Sequence, residues 1–368
     1  VRPIVIAAGG TGGHFFPAEA LAAELISRGH HIVLMTDARS GALHSPVFAG
    51  RDCHVLKGAG LAGRGVFRAG RAIFSLLAGT VQARRLLKRL DASAIVGFGG
   101  YPSVAPLLAA RTLRRRPRLL LHEQNAVLGR ANRLLATCAD ALALGFAGTA
   151  RVPQTIPMRV TGNPVRPAVA SLAGMPYAPP VDGPIHLLVV GGSLGARIFS
   201  DVVPGALAAL PADLRERLRV VQQCRKEDFS RVREAYLDTG IEADLAPFFT
   251  DMADRYAAAH LVIARAGAST CAELAEVARP AILVPLPGAI DDHQAANARA
   301  LAKAGAAQVM LQPDFTAAAL AKVLAEKLSD PAGLAEAARA AATCGHPMAA
   351  ADLANLAETL IAGAEVLR

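Results

Sequence analysis

Tryptophan is absent from this 368-residue chain, and aromatic residues make up only 4% of it. Proteins that grip nucleic acid by stacking bases interleave aromatics with basic residues, so the scarcity counts against a nucleic-acid-binding module. The five cysteines, Cys53, Cys138, Cys224, Cys271 and Cys344, are odd in number, widely spaced and form no Cys-x-x-Cys pair. That pattern points to reduced thiols and a cytoplasmic setting, and away from a bound structural metal. No apolar run approaches the roughly 18 residues of a spanning helix. No signal-peptide core precedes a small-residue cleavage site near the start. A Gly-Lys-Ser/Thr sequence, which would close a P-loop, follows neither glycine loop described below.

What is present is apolar and basic. Hydrophobic residues make up 53% and charged residues 19%, the balance of a globular chain and not of a disordered one. The length suggests two domains. The formal net charge of +9 favours anionic partners: nucleotide diphosphates, nucleic acid or acidic lipid. The plain alternative is a GC-rich genome that writes arginine freely.

Short apolar runs alternate with helical patterns. Strands are expected at residues 2–7, 31–36, 54–57, 94–98, 119–122 and 141–146, with helices at 17–28, 68–90, 103–114 and 129–138 between them. Pro17 is expected to open the first helix and Gly29 to end it. This alternation predicts a doubly wound parallel sheet. A proline-rich stretch from Gly162 to Pro180 then reads as a linker. The pattern restarts with strands at 185–190, 219–223, 261–264, 281–285 and 308–311, and the chain from Thr316 reads as helices only. Two such domains would hold a ligand at the carboxyl ends of their strands, in a cleft between them.

The first strand runs into Gly9-Gly10-Thr11-Gly12-Gly13-His14. Glycines let backbone N–H groups approach a phosphate, and the helix that follows adds the positive end of its dipole. A tight turn needing positive φ is the simpler reading, but four glycines in five residues exceed what it requires. The dinucleotide fingerprint fails because Phe15 stands where its third glycine belongs, although Asp37 follows the second strand. Gly191-Gly192-Ser193-Leu194-Gly195-Ala196 repeats the device in the second half. A third strand-to-helix turn carries Ala268-Ser269-Thr270 and then Glu273. Ser269 or Thr270 could cap that helix, with Glu273 completing a capping box. Equally, Glu273 could accept from the two vicinal hydroxyls of a ribose. His122-Glu123-Gln124-Asn125 ends another strand, and an acid buried there needs a partner or a task.

In order along the chain stand Gly9 to His14, Gly97-Phe98-Gly99-Gly100-Tyr101, His122 to Asn125, Gly162-Asn163-Pro164-Val165-Arg166, Gly191 to Arg197, Arg265 with Gly267-Ala268, and Asp292-His293-Gln294 with Asn297-Ala298. Each motif alone is weak. The ordered set covers nearly the whole chain and resembles the MurG family of bacterial N-acetylglucosaminyltransferases, in glycosyltransferase family 28.

The resemblance implies a GT-B fold, two Rossmann-like parallel-sheet domains facing across a cleft. They would span residues 1–163, rejoined by a last helix at about 346–368, and residues 164–345. It implies metal-independent, inverting transfer of N-acetylglucosamine from its UDP form to the muramyl 4-hydroxyl of lipid I, forming lipid II, with no cofactor. The first domain would hold the acceptor, its diphosphate near Gly9, Gly10, Gly99, Gly100 and Tyr101. The second would hold the donor. Carried over residue by residue, Glu273 resembles the ribose ligand; Ser193 and the backbone at Ala268, Ser269 and Thr270 would hold the donor diphosphate. Phe249 would pack by the uracil and Arg166 on the nucleotide side. Thr11, Gly12, Gly13, Asn125 and Gln294 would lie near the donor sugar. Leu194, Ala266 and His293 depart from common family residues. His14 is the candidate base, with Glu123 as its rival.

A polyprenyl-linked acceptor also implies work at an anionic membrane surface, on the cytoplasmic face of the inner membrane, alongside cell-wall and divisome proteins. Residues 64–90 mix Arg68, Arg71, Arg84, Arg85, Lys88 and Arg89 with Ile73, Phe74, Leu76, Leu77 and Val81, and Arg114-Arg115-Arg116 adds charge. A basic rim around an apolar patch suits such a surface; a solvated helix face is the simpler alternative. Outside this family, another GT-B enzyme such as a UDP-N-acetylglucosamine 2-epimerase is the runner-up, and a dinucleotide oxidoreductase a distant third.

Overall fold

In this computed structural model residues 2–9, 12–37, 45–56, 66–192 and 195–364 are described, with 66–73 described by backbone only. The chain divides into two compact units. The first is Val1–Arg166 with Met348–Arg368, and the second is Pro167–Pro347.

The first unit is built on strands β1 (Ile4–Ala7), β2 (Ile32–Thr36), β3 (Cys53–Val55), β4 (Ala94–Gly97), β5 (Arg118–Glu123), β6 (Ala141–Leu144) and β7 (Met158–Val160). They form one sheet in the order β3-β2-β1-β4-β5-β6-β7, and every pair is parallel. Its central strands are buried on both faces, which is why their sequences are unbroken apolar runs. Ile4 and Ile6 point into one core layer, with Leu21 and Leu25 of the helix Gly12–Ser27. Val5 and Ala7 point into the other, with Ala83, Leu86 and Leu87 of the helix Val66–Leu90.

The helix Ala349–Ile361 belongs to this first unit although it closes the chain. Leu353, Leu356 and Leu360 are buried in the layer that holds Leu21 and Leu25. At the rim of that contact Glu358 accepts from Arg28 and from His30, each at 2.7 Å. These bonds hold the Glu358 carboxyl below the usual carboxylate range, although desolvation opposes them.

The second unit repeats the plan with β8 (Ile185–Val190), β9 (Leu218–Gln223), β10 (Glu242–Ala246), β11 (Leu261–Ala264), β12 (Ala281–Leu283) and β13 (Ala307–Val309). The order is β10-β9-β8-β11-β12-β13, again all parallel. In each sheet the strand order reverses beside the unit's first strand. That leaves a crevice at the carboxyl ends of β1 and β4 in one unit, and of β8 and β11 in the other.

Three local expectations are corrected. Pro17 does not open its helix, which starts at Gly12 and carries Pro17 inside it. Proline there removes the bond to the Gly13 carbonyl, one turn from an end whose glycines already give the chain latitude. The helix expected from residue 103 starts at Gly100, because Pro102 fits the first turn. Strands β7 and β10 were not expected at all; both are sheet edges.

Candidate active site

In the first unit the chain leaves β1 through Ala8 and Gly9 and re-enters helix at Gly12. Gly10 and Thr11 lie outside the described residues. Gly9 is packed so tightly that a Cβ there would sit 2.8 Å from the Thr36 hydroxyl and 3.1 Å from Pro102. His14 projects from the first turn of the helix. Across the crevice, β4 runs into Gly99 and Gly100, both at positive φ. The Ser103 hydroxyl lies 2.8 and 2.9 Å from the carbonyls of Ala7 and Gly99 and shares its one hydrogen between them, fastening these two strand ends together. A Cβ on Gly100 would stand 3.8 Å from His14 Nε2, so that ring edge faces the second glycine turn.

The end of β5 supplies four polar residues, and the structure separates their tasks. The Glu123 carboxylate is buried and fully used. Its Oε1 accepts from the Asn125 N–H and side-chain amide, both at 3.0 Å. Its Oε2 accepts from the Gly129 N–H at 2.8 Å and Asn132 Nδ2 at 2.9 Å. Four donors meet the lone pairs of this carboxylate, so Glu123 organises its loop. His122 and Gln124 turn the other way. Gln124 Oε1 meets His14 Nδ1 at 2.8 Å, Gln124 Nε2 meets His122 Nδ1 at 3.0 Å, and His122 Nε2 meets the Gly162 carbonyl at 3.0 Å. Burial pushes the His122 imidazole down to about 4, against the pull of its Gly162 hydrogen bond and of Glu123. It is therefore neutral at ordinary pH. Tyr101 lies exposed beside this edge, and the Arg166 guanidinium stacks 5.1 Å over Phe16.

In the second unit β8 ends at a glycine turn of which Ser193 and Leu194 lie outside the described residues. A Cβ on Gly191 would collide with the Ala196 backbone. Gln223, from the end of β9, straps this turn. Its Oε1 accepts from the Gly191 N–H at 2.9 Å, and its Nε2 donates to the Gly192 and Pro247 carbonyls. Beside it the helix Ala268–Glu276 starts with Gly267 at its N-cap, and no side chain caps it. The capping-box register therefore fails: Ser269 and Thr270 are inside the first turn. The N–H groups of that turn point out of the strand end, where an anion is favoured. Glu273, one turn on, is buried and accepts from the Tyr256 hydroxyl at 3.1 Å.

Gln294 Oε1 accepts from the Leu286 N–H at 2.9 Å, fixing the turn after β12. In that turn Asp291 and Asp292 both hold left-handed φ. Phe249 is buried under the Arg255 guanidinium, 4.9 Å from its ring. Arg265 spends its guanidinium on the carbonyls of Val284 and Pro285 and on Gln312, and so braces β11 against β12.

Within the first unit the structure thus gathers His14, Gly99, Gly100, Glu123 and Asn125. Within the second it gathers Gly191, Ala268, Ser269, Thr270 and Glu273. Reasoning from sequence had no role for Gln124, His122, Ser103, Gln223 or Asn132. Only the run of polar residues after β5 signalled the first two.

Two Rossmann-like units, each with a glycine turn at its switch point, and in the second a helix N-terminus that no side chain caps, define the GT-B architecture. Residues 4–144 match the glycosyltransferase family 28 N-terminal domain and residues 186–356 its C-terminal domain; the chain belongs to that family. A protein from Granulibacter bethesdensis is 63% identical over 97% of this chain and 93% of its own length. One from Gluconobacter oxydans is 53% identical over 98% of this chain and 99% of its own. Both bear the name UDP-N-acetylglucosamine–N-acetylmuramyl-(pentapeptide) pyrophosphoryl-undecaprenol N-acetylglucosamine transferase. The crystal structure of Acinetobacter baumannii MurG matches with a TM-score of 0.79 at 31% identity, covering 98% of this chain and all of that one.

Proposed function

We propose that this chain is the transferase its relatives are named for. It moves N-acetylglucosamine from UDP-N-acetylglucosamine to the muramyl sugar of lipid I, giving lipid II for peptidoglycan. The observation that carries this reading is the 63% identity, over nearly the full length of both chains, to a relative of that name.

The two crevices support a reading of the finer chemistry. An inverting transfer forms one bond, from the acceptor 4-oxygen to the anomeric carbon, while the bond from that carbon to the UDP oxygen breaks. The acceptor proton goes to His14 Nε2. The charge on the departing diphosphate is met by the N–H groups of Ala268, Ser269 and Thr270 and by the helix dipole, without a metal. Glu273 holds the ribose and Phe249 lies by the uracil. Arg166, Asn125 and Gln294 stand as donor contacts, and Gly9, Gly99, Gly100 and Tyr101 serve the acceptor diphosphate. Incubation with labelled UDP-N-acetylglucosamine and a lipid I analogue is expected to give labelled lipid II at an undiminished rate in chelator. No transfer at all sinks the function; transfer abolished by chelator sinks the metal-free route only.

The acceptor's lipid tail calls for a membrane-facing surface, and the helix Val66–Leu90 supports one. Phe74, Leu77 and Val81 follow helical spacing and are 75%, 59% and 50% exposed. Arg84, Arg85, Lys88 and Arg89 are exposed on the same helix, and Arg114, Arg115 and Arg116 lie exposed after the helix Gly100–Ala110. Among the described residues no helix is long and apolar enough to cross a membrane. Peripheral attachment to the cytoplasmic face of the inner membrane fits these features. Vesicles containing anionic lipid are expected to bind the protein better than neutral ones, and less as salt rises. Replacing Phe74 and Leu77 together by Ser should weaken binding about tenfold or more, since each buried side chain is worth about 1.5–3 kcal/mol. Equal binding to neutral and anionic vesicles at low salt removes the electrostatic part.

A further inference from the structure

We infer that Gln124 and His122 are positioning residues that fix the tautomer of His14, leaving its Nε2 lone pair bare toward the Gly99–Gly100 turn. The inference rests on the reading of His14 as the base and deepens it.

The argument starts from two backbone carbonyls, which can only accept. The Gly162 carbonyl lies 3.0 Å from His122 Nε2, so Nε2 carries the ring's hydrogen. His122 is buried and neutral, so its Nδ1 is bare and accepts. The atom facing it at 3.0 Å is Gln124 Nε2, which also lies 3.1 Å from the His122 carbonyl. Two acceptors fix this end of the amide as its NH2, and therefore fix the other end as the carbonyl oxygen. That oxygen faces His14 Nδ1 at 2.8 Å. An amide oxygen cannot donate, so His14 Nδ1 carries the hydrogen, and in the neutral ring Nε2 is the unprotonated nitrogen. Every link runs in one direction, from His14 through Gln124 and His122 to the Gly162 carbonyl.

The consequence separates this device from a carboxylate-backed histidine. An acid behind an imidazole both orients it and stabilises its cation. An amide orients it and brings no charge. His14 can take the acceptor proton on Nε2 while Nδ1–H keeps its bond to Gln124, and neither Gln124 nor His122 changes protonation. The proton stops on His14 and is not relayed inward. The Gly162 carbonyl belongs to the Gly162-Asn163-Pro164-Val165-Arg166 run, so the loop that carries Arg166 also anchors the base.

The test uses the full chain with 15N-labelled histidine, the His14 signals being identified by their loss in His14→Ala. The expected spectrum has the hydrogen on Nδ1 of His14 and on Nε2 of His122. Gln124→Met keeps the side chain's length and removes both polar atoms. It is expected to give a His14 signal averaged over both tautomers and to lower kcat by roughly 10–100-fold, the scale seen when the partner that orients a metal-bound imidazole is removed. The KM for UDP-N-acetylglucosamine should be unchanged. Placed in the His14→Ala background, Gln124→Met should cost nothing more, which a merely structural residue would not satisfy. A thermal melt confirms that the variant is folded. A wild-type His14 with its hydrogen on Nε2 overturns the inference. So does a Gln124→Met enzyme of normal kcat where His14→Ala is inactive. A His14→Ala enzyme of normal turnover overturns the base reading itself, and the spectrum, which reports the tautomer whatever the turnover, tells that failure apart.

Discussion

Replacing His14 by Ala is expected to lower kcat at saturating donor and acceptor by roughly 10²–10⁴-fold, the usual contribution of a positioned general base. The reason is geometric. Of the two candidate bases, Glu123 has its oxygens occupied by Asn125, Gly129 and Asn132, whereas His14 presents Nε2 toward the Gly100 turn. The effect should fall on turnover. The removed bond is the one to the buried Gln124 oxygen, so stability should drop by about 1–3 kcal/mol. Steady-state kinetics with both substrates saturating, beside a thermal melt, separate the two. Near-normal turnover ends the assignment of His14 and reopens the question of where the proton goes.

The second large effect belongs to Glu273. Glu273→Ala is expected to raise the KM for UDP-N-acetylglucosamine by roughly 10–100-fold, since a hydrogen bond to a charged group is worth about 1.5–3 kcal/mol. The carboxylate is buried one turn inside the helix Ala268–Glu276, at the switch point of the second sheet. The Tyr256 hydroxyl steadies it at 3.1 Å. A structural role would produce a different pattern. Tyr256→Phe takes away that support without touching the carboxylate, and should alter stability more than KM. The discriminating substrate is a donor whose ribose lacks one hydroxyl. The natural enzyme should bind it poorly, while Glu273→Ala should scarcely distinguish it from the intact donor. If Glu273→Ala discriminates between the two donors as the natural enzyme does, the ribose contact is wrong.

The strands most plainly legible from the chain were those buried on both faces, although the edge strands Cys53–Val55 and Ala307–Val309 were also expected, each displaced by a residue or so. Ile185–Val190 and Leu261–Ala264 are apolar throughout, and the sheet places each centrally. The two strands that escaped notice are edges. All three residues of Met158–Val160 are exposed, and Glu242–Ala246 mixes acids with small residues. An edge strand draws its order from hydrogen bonds to one neighbour and needs no apolar run. Glycine turns were legible because a missing side chain is visible in sequence. Whether a turn was capped by Thr270 or by Gly267 was not, since the register depends on where the first helical hydrogen bond forms. Nor was the partnership of His14 with Gln124, which brings together residues 110 positions apart and depends on β1 and β5 both lying beside β4.

The helix Ala349–Ile361 has a consequence for the order of events during synthesis. The first unit begins the chain and is finished by the chain's last helix, while the second unit is continuous. A ribosome therefore releases a complete second unit before it releases a complete first one. Until Leu353, Leu356 and Leu360 emerge, the layer containing Leu21 and Leu25 lacks its cover, and Arg28 and His30 lack Glu358. Vectorial folding from the amino end, the common order for multidomain chains, is reversed here. The unit begun first is the last to close, and the nascent protein must keep that apolar layer from other partners while the whole second unit is made.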